Sequence, residues 1–191
     1  MRLAIDLMGS DKSPNQLYPG VVEATRLFPH VSFTVIVTTN VELSPHPSIK
    51  ILKADEFIEM GEDPIQAIRK KKNSSLLKGL KLLKRKKVDG FITAGNTGAL
   101  IACASLYLPK LPGIKRPALL ATLPTIDKPV SVLDVGGTVQ CKAPLLAHFA
   151  QLGVNYHRKA YNIERPRFAL LNIGVESRKG SLERQEAYHK L

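Results

Sequence analysis

Four apolar runs in this chain break directly into small or glycine residues: at Met8-Gly9-Ser10-Asp11, Ala94-Gly95-Asn96-Thr97-Gly98, Asp134-Val135-Gly136-Gly137-Thr138 and Asn172-Ile173-Gly174. Glycine at a strand end lets backbone N–H groups approach an anion closely, and a helix beginning just beyond adds the positive end of its dipole. The chemistry that suits such turns is phosphate binding. Gly95 to Gly98 makes the best case, because it joins the apolar run Val88 to Thr93 to an apolar helical stretch, Ala99 to Leu108. None of the four is G-x-G-x-x-G or a P-loop ending in Lys-Ser/Thr, which removes the usual support for dinucleotide or nucleoside triphosphate binding. Any one of these glycines also has a plain reading as a tight turn, and it is the recurrence that favours a ligand.

Two carboxylates lie close to these turns. Asp6 interrupts the first apolar run and Asp134 ends another. Burying a carboxylate is costly unless it is hydrogen-bonded, so each is either a turn stabiliser or a site residue. The five histidines show no i, i+4 pairing and no partner motif. Cys103 reads as core, and Cys141, with no neighbouring histidine to activate it, reads as structural. Two cysteines in unrelated contexts match no metal or redox spacing, so neither a metal nor a cofactor is expected.

The elements that must hold these turns follow from the hydrophobic pattern. Leu3 to Met8, Val31 to Val37, Ile49 to Leu52, Val88 to Thr93, Ala118 to Leu123, Val130 to Val135 and Phe168 to Ile173 are short, β-branched and bounded by Gly, Pro or Asn, and they predict strands. Leu76, Leu77, Leu80 and Leu83 form one stripe of a helix over Ser74 to Lys86. Ser13-Pro14-Asn15-Gln16 has the form of a capping box that launches a helix toward Phe28, although Pro19 leaves open a start near residue 19. The prolines of Ser44 to Pro47 and of Pro109 to Pro117 mark connections. Alternating strands and helices predict an α/β fold of βαβ units around a mainly parallel, buried sheet, in one domain over 1–191, with ligands outside the carboxyl ends of the strands.

Lys and Arg outnumber Asp and Glu by 28 to 16, a formal charge of +12, which turns the surface toward anionic partners such as an acidic protein or lipid headgroups. Much of the excess lies in Arg69 to Lys72 and Lys84 to Lys87, with no aromatic residue between on which bases could stack, so nucleic acid is not expected. No apolar run approaches the roughly 20 residues of a membrane span and no signal peptide is visible, which predicts a cytoplasmic protein with at most peripheral membrane association.

The segments LAIDLMGSDKSP (Leu3 to Pro14), PIQAIRKKKNSS (Pro64 to Ser75), TAGNTGAL (Thr93 to Leu100), GIKRPAL (Gly113 to Leu119), LDVGGTVQC (Leu133 to Cys141) and ALLNIG (Ala169 to Gly174) resemble, in this order, the signature segments of PlsX-type phosphate acyltransferases. The resemblance implies a Rossmann-like α/β fold, a mainly parallel sheet with helices on both faces, related to phosphotransacetylases and isopropylmalate dehydrogenases; it also implies a homodimer, and formation of acyl phosphate from an acyl-carrier-protein thioester and inorganic phosphate for bacterial phospholipid synthesis. For the reaction so implied, Gly95, Asn96, Thr97 and Gly98 are the candidate phosphate-binding residues, Asn96 and Lys179 the candidate catalytic ones, and Lys179, which reads equally well as an ordinary surface lysine, the candidate cation at the thioester. Asp6, Gly9, Asp11, Asp134, Gly136, Asn172 and Gly174 then line the substrate cleft, and Arg69, Lys71 and Lys72 dock the acidic carrier protein. It further implies that the chain corresponds to the N-terminal half of such an enzyme, the cleft being completed by a region after Leu191. Two other classes remain: a nicotinamide-dependent oxidoreductase of related fold, against which the missing glycine fingerprint stands, and a non-catalytic basic binding module.

Overall fold

A computed structural model describes residues 1–110, 112–114, 116–138, 140–176 and 178–191. The chain divides into two compact units, Met1–Pro112 and Gly113–Leu191.

The first unit carries β1 (Arg2–Asp6), α1 (Pro14–Leu27), β2 (Ser32–Thr38), β3 (Ile49–Ala54), α2 (Pro64–Lys70), α3 (Ser75–Lys84), β4 (Gly90–Thr93) and α4 (Thr97–Tyr107). Its sheet runs β3-β2-β1-β4, with every neighbouring pair parallel. Strand alternation sends successive side chains to opposite faces. Leu7, Phe33, Val35, Val37 and Ile49 pack on one face with Tyr18 and Val21 of α1. Ala4, Ile36 and Ala54 bury the other face, against which Leu82 and Leu83 of α3 pack. A third cluster joins Ile68 of α2, Leu77 and Leu80 of α3 and Cys103 of α4. The sequence-predicted α/β architecture, a mainly parallel sheet with helices on both faces, is therefore present.

The start of α1 is decided in favour of Pro14. The Gln16 side-chain oxygen accepts the Ser13 N–H at 2.9 Å and the Ser13 hydroxyl at 3.1 Å, tying down the first turn. Pro19 lies inside the helix and brings no N–H, so the Asn15 carbonyl forgoes its usual partner.

The second unit holds β5 (Leu120–Leu123), β6 (Val130–Leu133), α5 (Ala143–Tyr161) and α6 (Leu182–Tyr188). β5 and β6 pair antiparallel, because the connection from Pro124 to Pro129 is too short for the crossover a parallel pair needs. The strand predicted over Phe168 to Ile173 is not formed. The segment keeps the alternation of a strand, with Leu170, Asn172 and Gly174 half-buried and Leu171 and Ile173 each 84% exposed. Among the described residues no neighbouring strand pairs with it, and without a ladder the apolar pattern cannot make a strand. Of the predicted connection Pro109 to Pro117, residues 111 and 115 lie outside the described residues, and the rest form no regular element. Among the described residues no helix is long and apolar enough to cross a membrane.

Candidate functional site

In the first unit the chain runs from β1 to β2 and β3 on one side, then returns to place β4 on the other side of β1. That reversal makes the carboxyl ends of β1 and β4 the switch point at which open parallel sheets bind ligands. Asp6 pairs in register with Thr93, so the turns that follow these two residues emerge side by side. They touch: a side chain at Gly95 would begin 3.0 Å from the Met8 carbonyl oxygen, and one at Gly9 would lie 3.6 Å from the Gly95 Cα. Gly9 has φ +74° and its vacant Cβ position is filled by the Ile58 carbonyl, so only glycine fits there. Gly98 is pressed against Pro64, where a Cβ would lie 2.8 Å from the proline ring. This contact brings the N-termini of α2 and α4 together.

Asn96 is the N-cap of α4 and is 8% exposed. Its Oδ1 accepts the Ala99 N–H at 3.0 Å, while its Nδ2 donates to the carbonyls of Glu59, Met60 and Glu62 at 3.1 to 3.2 Å. The whole amide is thus committed to holding the loop before α2 against the head of α4. An anion at this turn would meet the Thr97 and Gly98 N–H groups, on two exposed residues, and not the Asn96 side chain. Replacing Asn96 with Ala is expected to destabilise the protein by about 2–4 kcal/mol, combining a lost cap with three carbonyls stripped of their donor, as read by denaturant unfolding.

The structure buries Asp6, which sequence reasoning placed in the cleft: it is 2% exposed and lines no open surface. Burial pushes its carboxyl up from 3.8 to about 6, although hydrogen bonds from Met8 N–H and from Ser75 and Thr93 pull the other way. The folded chain therefore holds a proton that the unfolded chain releases. The stability this group contributes is complete below about pH 4 and is lost as pH rises through about 6. Asp11 is exposed beside the first turn, with Gly9 half-buried.

Lys71, expected to dock a carrier, is occupied: its Nζ donates to the Phe57 carbonyl at 2.8 Å and pairs with Glu62 at 2.6 Å. The Lys71 bond also holds the Glu62 carboxyl below its ordinary range. Arg69 and Lys72 are exposed, at the end of the sheet that carries the two turns. The run Lys84 to Lys87 precedes β4 and therefore lies at the opposite end.

In the second unit, Asp134 Oδ1 accepts the Leu119 N–H at 2.8 Å and the Gly137 N–H at 3.2 Å, which makes this oxygen a turn stabiliser. Gly136 follows at φ +102° and is exposed. Asn172, Gly174 and Lys179 gather in one turn. Asn172 Nδ2 donates to the Lys179 carbonyl at 2.8 Å, and a Cβ at Gly174 would lie 3.1 Å from the Lys179 Cγ. The Lys179 side chain itself is exposed. Cys103 is buried, which pushes its thiol up to about 12, and Cys141 is raised by burial and then by Asp134. Both are kept as thiols at neutral pH and unsuited to nucleophilic attack.

Sequence reasoning missed Thr93 and Ser75, whose hydroxyls hold Asp6, and the loop of Ile58 to Glu62 that roofs Gly9. The hydroxyls had a signal: a carboxylate inside an apolar strand demands donors, and those nearest are at the ends of the adjoining strand and helix. The loop had none, because it acts through backbone carbonyls.

A family model described as "Fatty acid synthesis protein" matches residues 1–191. A phosphate acyltransferase of Thermoanaerobacter pseudethanolicus is 43% identical over 194 residues, covering 100% of this chain and 58% of that protein. One from Dictyoglomus thermophilum is 41% identical over 201 residues, covering 100% of this chain and 59% of its own. A third, from Acidobacterium capsulatum, is 42% identical over 195 residues, covering 97% and 57% respectively. The chain spans a little under three-fifths of the length of these curated relatives. With the family model matched from the first residue to the last, the chain belongs to the fatty acid synthesis protein family.

Proposed function

We propose that this chain is the N-terminal portion of a phosphate acyltransferase and supplies its phosphate site. The observation that carries the reading is the pair of glycine turns packed at the switch point, with the Thr97 and Gly98 N–H groups at the head of α4. The relatives are phosphate acyltransferases, which supports that reaction class for this chain.

In the proposed reaction a phosphate oxygen attacks the carbonyl carbon of an acyl-carrier-protein thioester. The tetrahedral oxyanion collapses, the C–S bond breaks, and the thiolate leaves to take up a proton, giving acyl phosphate. Phosphate is anionic at neutral pH, so the protein need not activate a serine or cysteine, and its part is to orient the reactants and stabilise the oxyanion. Thr97 and Gly98 hold the phosphate, Gly95 lets the chain approach it, and Asn96 keeps the turn in shape. Gly9 and Asp11 flank that turn within the first unit. The remainder of the relatives' length would complete the cleft, within a homodimer working in the cytoplasm or against the membrane surface.

Crystals grown in phosphate or sulfate test the site: the expected ion lies within hydrogen-bond reach of the Thr97 and Gly98 N–H groups, and an ion found only at Lys84 to Lys87 would overturn it. Carrier docking is tested by changing Arg69 and Lys72 to Glu, leaving Lys71 and its bond to Glu62 intact. At low salt, association with the acidic carrier should slow by about tenfold, and the difference should fade as salt is added. An unchanged rate at low salt would remove these residues from the docking surface.

A further inference from the structure

Asp6 is a buried carboxylate that the proposed reaction does not use, and its partners come from three parts of the fold. Its Oδ1 accepts the Met8 N–H at 3.0 Å, where the first turn begins. Its Oδ2 accepts the Thr93 hydroxyl at 3.4 Å at the end of β4, and the Ser75 hydroxyl at the head of α3 bonds it as well. The Thr93 oxygen in turn accepts the Gly95 N–H at 3.1 Å. A continuous line of hydrogen bonds therefore runs from the Met8 amide through Asp6 and Thr93 to Gly95. We propose that Asp6 is a positioning residue that fixes the two glycine turns relative to each other and so keeps the Thr97 and Gly98 amides aimed at a bound anion. This rests on the reading of that turn as the phosphate site.

The residue types suit the task. Gly9 and Gly95 are the least constrained residues at the switch point, so their backbone cannot hold its own geometry and needs an outside brace. A carboxylate accepts on both oxygens, matching an amide and two hydroxyls that all donate, whereas Asn at this position would bring an NH2 to a partner that is already a donor. What surrounds Asp6 is otherwise neutral. Ile36 of β2 lies opposite it in register, α3 presents Ser75, β4 presents Thr93, and among the described residues no charged side chain acts on it. A carboxylate buried without a counter-charge is costly, and here it is retained where three segments meet.

The test follows the Met8 and Gly95 amide resonances with pH in the 191-residue chain, together with its affinity for inorganic phosphate by calorimetry. In the wild type both amides should shift with one midpoint near 6, the value to which burial pushes Asp6. Thr93→Val should leave the Met8 shift in place, abolish that of Gly95 and weaken phosphate by about tenfold, with Thr93→Ser restoring affinity to within about twofold. Asp6→Asn should abolish both titrations, and if it fails to fold, the Thr93 pair decides. A wild-type Gly95 amide that does not follow the Met8 titration overturns the proposal, as does Thr93→Val binding phosphate as tightly as wild type. If the wild type takes up no phosphate, the anion reading of the turn fails; the coupled titration still judges whether Asp6 fixes the two turns.

Discussion

Gly9→Ala is expected to destabilise the first unit by about 2–5 kcal/mol. The added methyl group meets two separate obstacles. At φ +74° an L-residue pays roughly 1–2 kcal/mol for left-handed backbone. Its Cβ would also collide with the Ile58 carbonyl, and relieving an overpacked contact costs about 1–3 kcal/mol more. A flexible side chain could swing aside, but this carbonyl belongs to a loop that Asn96 and Lys71 hold at neighbouring positions. Gly61 lies in the same loop with nothing within 4 Å of its Cβ position, and Gly61→Ala is the control expected to leave stability unchanged. Equal unfolding midpoints for the two variants in denaturant would mean that the first turn yields easily, and the close packing of Gly9 on Gly95 would lose its significance.

The largest effect on activity is expected from chain length. Residues 1–191 by themselves should form acyl phosphate at least about 10²-fold more slowly than the same sequence extended to the relatives' length, since one oxyanion donor alone is worth roughly 10² to 10³ in rate. The matched region covers 57 to 59% of the relatives compared above, so much of what orients the thioester would come from the remaining part. Phosphate binding, which the proposal places on the two turns in the first unit, should survive. The comparison is acyl-phosphate formation from acyl carrier protein by the two proteins at equal concentration. Equal specific activity would place the entire catalytic apparatus within residues 1 to 191.

The parallel sheet and the pairing of the first two turns were legible because they depend on local pattern: short β-branched runs, and glycines at strand ends. Asn96 was legible as part of the turn at the head of α4 but not in what its side chain does, since nothing in TAGNTGAL says that three carbonyls from another loop will claim its amide. Lys71 was misread for a related reason. In a run of four basic residues all look alike, and only the fold turns one of them inward onto Glu62 and the Phe57 carbonyl. Phe168 to Ile173 marks the opposite limit, where local pattern was sound but strand formation depends on a neighbour that local pattern does not supply.

The two margins of the first unit's sheet are built differently, and this bears on how the protein behaves in concentrated solution. β3 carries Lys50 and Lys53, both exposed, and Lys78 reaches over to bond the Lys53 carbonyl at 3.1 Å. Lysines along a margin discourage other chains from joining it. β4, Gly90-Phe91-Ile92-Thr93, has neither charge nor proline, and Ile92 is 51% exposed. Among the described residues of this unit's sheet β4 pairs with β1 alone, so its edge sequence favours growth by a further strand where that of β3 discourages it. Where no such strand is supplied, the same unguarded margin is the place at which self-association of this chain would begin, and a lysine in place of Ile92 is the change that should hold it in solution.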